Sequence, residues 1–146
     1  MKKSVHRKRI IGQILLSLGL VFVLGSAIAQ VRAEDEKLPL ITIHGTGDIT
    51  RGEKPGAFVL NMHPVLIGGM YVNIRVSGTA IPGVDYVHLV SPAHIGQSGY
   101  GVLLVQTFPD RRAPALRRSC FVIVTLEPGP GYAVGEPNSA RMTIEP

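Results

Sequence analysis

Between residues 70 and 89 the chain alternates, turns and becomes extended again, and this stretch limits what the rest can become. Met70, Val72, Ile74 and Val76 take one side of an extended run while Tyr71, Asn73, Arg75 and Ser77 take the other. That two-residue period is the pattern of a strand with one face in a core. The run leaves through Gly78-Thr79-Ala80, crosses Pro82-Gly83, a pair suited to a type II turn, and resumes at Asp85-Tyr86. Asp85 is placed to accept backbone N–H groups of its own loop, and Tyr86 to lay its ring on the core edge with its hydroxyl in water. Nothing in the turn requires chemistry.

The same pattern runs through the rest of the chain behind residue 37. Apolar positions alternate or come in short runs bounded by Gly, Pro, Asn and Asp, and no helical period emerges. Strands are predicted at Leu38 to His44, Ala57 to Met62, Met70 to Ser77, Tyr86 to Leu89, Val102 to Thr107, Phe121 to Leu126 and Arg141 to Ile144. The 17 glycines and 11 prolines fall largely in the gaps between the apolar runs, as turn residues should. Residues 38–146 therefore read as one all-β domain, an Ig-like antiparallel β-sandwich of about seven strands. The near-continuous apolar runs Val102 to Thr107 and Phe121 to Leu126 are predicted in the middle of the sandwich. Ala57 to Met62, uncharged, is predicted as an open edge that a second copy could join.

Residues 1–33 have the layout of a secretory signal, a hydrophobic helix ahead of the domain. Lys2, Lys3, Arg7, Lys8 and Arg9 precede the apolar run Ile10 to Leu24, and small residues follow. Cleavage is expected after Ala29 or Ala33, with Ala27 and Ala29 the better pair of small residues. Left uncleaved, the roughly 20 residues from Ile10 to Ala29 would span a bilayer and make this segment the chain's membrane contact. Residues 34–37 form a short charged leader. No twin-arginine pattern is present, so general secretion is the expected route and the expected location is secreted, periplasmic or cell-surface.

The chain has 15 Lys and Arg against 10 Asp and Glu, yet six of those bases precede residue 34. From Glu34 onward nine bases face ten acids, so the overall basic balance belongs to the targeting segment and gives no footing to nucleic-acid binding. The basic cluster Arg111, Arg112, Arg117 and Arg118 reads as a solvated loop ahead of an anion site. A single cysteine, Cys120, excludes an internal disulfide; within Ser119 to Val124 it reads as a core thiol, with an intermolecular disulfide the sharper alternative. His44, His63, His88 and His94 are dispersed, with no His-Glu-x-x-His, no Gly-x-Ser-x-Gly and no phosphate loop, so no catalytic residue is assigned.

Two motifs together resemble the Calx-β family. Gly78-Thr79-Ala80 followed by Gly83-Val84-Asp85-Tyr86 is one; the other is Leu126 through Gly135, containing Gly131, Tyr132 and Gly135, with Ala140 to Ile144 behind it. Pro55-Gly56-Ala57-Phe58 is similar to the way the family begins its second strand. The resemblance covers residues 38 to 146 and implies the seven-stranded sandwich. It also implies calcium for members that carry clustered end-loop carboxylates, a hard cation wanting six to eight oxygens. Asp85, Asp110 and Glu145 match that pattern. Other acidic positions do not: an early Glu falls near Arg51, with Glu53 as a shifted substitute, and two more fall near Arg117 and Cys120. An arginine there repels a divalent ion by several kcal/mol at an effective dielectric of about 20, and could pair with Asp85 or Asp110 instead.

The expected function is a non-enzymatic extracytoplasmic binding or structural module engaged in surface assembly, adhesion or self-association, without a cofactor. A calcium-binding domain is the first alternative. A subunit of an extracellular filament or envelope complex, anchored by an uncleaved N-terminal helix, is the second.

Overall fold

The computed structural model describes residues 37–146. The predicted signal segment 1–33, both cleavage sites and residues 34–36 of the leader lie outside the described residues. Among the described residues no helix is long and apolar enough to cross a membrane.

In chain order the strands are β1 (Leu40–Gly45), β2 (Ile49–Thr50), β3 (Gly56–His63), β4 (Met70–Val72), β5 (Ile74–Gly78), β6 (Ala93–Ile95), β7 (Tyr100–Val105), β8 (Cys120–Leu126), β9 (Ala133–Val134) and β10 (Ser139–Glu145), with a 3-10 turn at Pro114–Leu116. One sheet has the order β7-β3-β1-β9, a second the order β2-β10-β8-β5, and β4 pairs with β6 as a small third. Their inward residues make one core. Ile41, Ile43, Phe58, Leu60 and Val105 come from the first sheet, and Ile74, Val122, Val124, Met142 and Ile144 from the second, nearly all fully buried. Each alternates with an outward neighbour, so period-two patterning is what closes the two layers together.

Most pairs are antiparallel, but β1–β9 and β10–β2 are parallel, each over two residues. The Met70 to Ser77 run keeps its predicted alternation, with Val72 and Ile74 buried and Tyr71 and Arg75 exposed, yet it is not one strand. It breaks at Asn73, whose N–H donates to the Tyr132 hydroxyl (3.0 Å) and whose carbonyl accepts from the Glu127 N–H (2.9 Å). Those bonds take the place of ladder bonds, and the chain passes there from the small sheet to the second one. Tyr86 to Leu89 forms no strand; Tyr86 makes isolated bridges to Pro82 and Thr107.

Two placements within the sheets are corrected. β3, expected at an edge, is flanked by β1 and β7 on its two sides, so its backbone cannot receive another copy. β7, expected in the middle, is the outermost strand of its sheet, and its apolar run splits into inward Leu103 and Val105 and exposed Tyr100, Val102 and Leu104. β8 does sit mid-sheet, between β10 and β5.

Candidate functional site

The Gly78–Tyr86 turn is built by contacts to β8. Gly78 has φ +120°, and a β-carbon there would run into the Phe121 carbonyl oxygen, so no other residue fits. Beyond it the Thr79 and Ala80 N–H groups both donate to the Phe121 carbonyl (3.0 Å each), and the Thr79 hydroxyl accepts from the Phe121 N–H (3.1 Å). Pro82-Gly83 then makes the expected turn: Val84 N–H donates to the Ile81 carbonyl (3.1 Å) with Gly83 at φ +79°. Asp85 Oδ2 accepts from the Ile81 N–H (2.7 Å), which fixes the carboxylate inside its own loop. Tyr86 departs from expectation, since its ring is buried and not half in water; burial, with the Asp85 charge adding to it, pushes its phenol pKa up.

Tyr132, in the second motif, plays a similar bracing part. Its hydroxyl donates to the Glu127 carbonyl (2.6 Å) and accepts from the Asn73 N–H, joining the β8–β9 loop to the β4–β5 break.

At the end of the sandwich formed by this turn, charged side chains from distant elements meet. Arg51, just past β2, is held by its N–H donating to the Glu145 carbonyl (3.0 Å). Its side chain is only 4% exposed, and Nη2 donates to Asp85 Oδ1 at 2.6 Å and to Cys120 Sγ at 3.3 Å. Its Nε is buried without a hydrogen-bond partner, with Asp110 Oδ2 at 3.9 Å. Asp110 is itself clasped by Arg112: Oδ1 accepts from the Arg112 backbone N–H (3.0 Å) and Nε (2.8 Å), and Oδ2 from Nη2 (2.7 Å). That clasp, with Arg51 nearby, holds the Asp110 carboxyl well below the usual carboxylate range. Arg117 Nε donates to the Arg112 carbonyl (3.2 Å), adding a third arginine to the rim.

The carboxylates named from sequence are therefore only partly assembled. Asp85 and Asp110 converge, but on Arg51. Glu145 turns to the Ser119 hydroxyl, and Glu53 lines a separate depression with Asp48 and Lys54. Among the described residues no group of three or more His, Cys, Asp or Glu is placed to hold a metal ion. Cys120 is half-buried and free; burial pushes its thiol pKa up, and Asp85 adds to the rise. A cleft of about 570 Å³ opens over the cluster, with Ile81, Val84, Phe108 and Arg111 on its walls.

Among the described residues the histidines do not assemble either. His44 lies opposite Val59 and His63 opposite Leu40, four residues apart along one face, roughly 13 Å by strand rise. His94 stacks against Tyr71 on the small sheet, ring centroids 4.9 Å apart.

Two packed, largely antiparallel sheets with this strand order define an Ig-like sandwich. Within that class the fold is Calx-β-like. The chain is similar to the crystal structure of the apo-form Calx CBD1 domain, with TM-score 0.55 and 14% identity over 75% of this chain and 97% of that one. It is similar also to the crystal structure of CBD12 from CALX1.2, with TM-score 0.55 and 12% identity, covering 71% of this chain and 44% of that one. No family model and no curated protein matches the chain.

Proposed function

We propose that this domain is a non-enzymatic extracytoplasmic module that works by self-association, pairing with a second copy through the outer face of the β7-β3-β1-β9 sheet. The observation that carries the reading is the contrast between the two outer faces of the sandwich. On β7, Tyr100, Val102 and Leu104 are 58%, 58% and 59% exposed, and the register sets them beside Asn61, Val59 and Ala57 of β3. Thr42, His44 and Leu40 of β1 continue the face, which among the described residues holds no Lys, Arg, Asp or Glu. The opposite sheet turns outward Arg75, Arg141 and Glu145, and Arg141 caps the one aromatic ring there, its guanidinium carbon 3.9 Å above the Phe121 centroid.

A contiguous exposed apolar stripe marks a contact surface in a protein of this size. A face without charge meets its own copy with no like-charge repulsion, which favours self-pairing over a charged partner. Burial returns about 1.5–3 kcal/mol for each apolar side chain fully covered. Association costs at least about 4 kcal/mol, so three side chains from each copy support a reversible complex. The secretory layout of residues 1–33 supports an extracytoplasmic setting, and the dispersed histidines support a role without catalysis.

The test is size-exclusion chromatography with light scattering on protein expressed from the full sequence and purified as its host processes it. Wild type should elute with a concentration-dependent mass above the monomer, and Val102→Glu as a monomer that melts as wild type does at low concentration. A wild-type protein that stays monomeric up to high concentration would refute the proposal.

A further inference from the structure

We infer that Arg51 takes the place of a bound cation in this domain, so that the end of the sandwich is held together by an internal guanidinium at every calcium concentration. Three observations carry it. First, the positive group is already in the cluster: Arg51 reaches Asp85 at 2.6 Å and Asp110 at 3.9 Å with a side chain 4% exposed. A planar guanidinium offers five N–H donors in a fixed fork, enough to serve ligands on separate loops as an ion would.

Second, the carboxylate oxygens a metal would need are engaged. Asp85 Oδ1 takes Arg51 and Oδ2 takes the Ile81 N–H, while both Asp110 oxygens take Arg112. A hard dication wants six to eight oxygens, several charged, and would have to displace two arginines to free three. Third, the remaining positions supply the wrong atoms. Cys120 gives a soft sulfur, already accepting from Arg51, and the Glu145 carboxylate is held by the Ser119 hydroxyl. The residues present do not fit calcium.

A calcium-loaded end loop would be ordered only when the ion is present; this one is ordered by a side chain on its own chain. The test is the melting temperature of wild type and Arg51→Ser in EGTA and in millimolar calcium, on protein expressed from the full sequence. The expected result is no calcium effect on wild type and a lower melting temperature for Arg51→Ser, in EGTA and in calcium alike, because Arg112 still holds both Asp110 oxygens. A wild type that melts higher with calcium overturns the inference. So does an Arg51→Ser protein that melts like wild type. Should Arg51→Ser not fold, Arg51→Lys, which keeps the charge, decides: folding without a calcium response supports the inference, and calcium-dependent melting overturns it. All melts are run at one protein concentration, so that association through β7 contributes equally to each.

Discussion

Arg51 Nη2 lies 2.6 Å from Asp85 Oδ1, with both side chains nearly out of water and the two residues 34 positions apart in sequence. The pair ties the strip next to β10 to the turn after β5, and so closes one end of the sandwich. Removing one member leaves the other as a buried charge without its partner, the situation that makes such pairs costly to break.

Asp85→Asn should therefore destabilise the domain by about 3 kcal/mol or more. It leaves Arg51 only Asp110, 3.9 Å away, as counter-charge, and its Nε already lacks a hydrogen-bond partner. Urea unfolding of Asp85→Asn, Arg51→Met and the double variant checks this. The double variant should be less destabilised than the sum of the two, because it leaves no unpaired charge behind.

Gly78→Ala should be among the most damaging single changes. Strain from φ +120° costs about 1–3 kcal/mol before the clash with the Phe121 carbonyl is counted. The carbonyl cannot simply retreat, since it accepts from both Thr79 and Ala80. Equilibrium denaturation should show a loss well above that of Gly83→Ala, where a β-carbon meets open space.

Tyr132→Phe should cost about 1–3 kcal/mol, the penalty for leaving a half-buried backbone donor unmet. The change keeps the buried ring and removes only the oxygen between Asn73 and Glu127. Hydrogen exchange should locate the effect, with the Asn73 amide losing protection ahead of the β8 amides.

Acid should weaken the Asp110–Arg112 clasp. The Asp110 carboxyl is depressed mainly by its side-chain hydrogen bonds from Arg112, so the folded state holds the proton less tightly than the unfolded chain. Its contribution is fully present above the unfolded pKa of about 4 and is lost as pH falls from there through the folded value. Melting temperature followed below about pH 5 should fall more steeply in wild type than in Arg112→Gln, which has no clasp to lose.

These predictions draw unequally on the sequence. The sandwich was legible because two-residue alternation reports burial directly: Val72, Ile74, Met142 and Ile144 all face the core that their periods indicate. The short strands β2, β6 and β9 were not, because two or three residues carry no period. Nor was the position of β7. An apolar run looks the same whether a sheet covers both faces or leaves one open, and the exposure of Val102 and Leu104 is settled by what packs elsewhere. In the end cluster, Asp85, Asp110, Arg51 and Cys120 were each singled out by motif position. Their convergence on a guanidinium depends on β2 lying parallel beside β10, which sequence spacing does not encode. Glu145 matches the pattern by position alone, and the direction that takes its carboxylate to Ser119 is likewise not encoded in spacing.

Self-association through the uncharged sheet face is tested most directly by sedimentation equilibrium on wild type, Leu104→Glu and Thr125→Glu. Leu104 lies on the β7-β3-β1-β9 outer face, and Thr125 lies beside Arg75 on the outer face of the other sheet. The account expects a reversible dimer for wild type and Thr125→Glu and a monomer for Leu104→Glu. A monomeric wild type, or a dimer that Thr125→Glu abolishes and Leu104→Glu leaves intact, would contradict it.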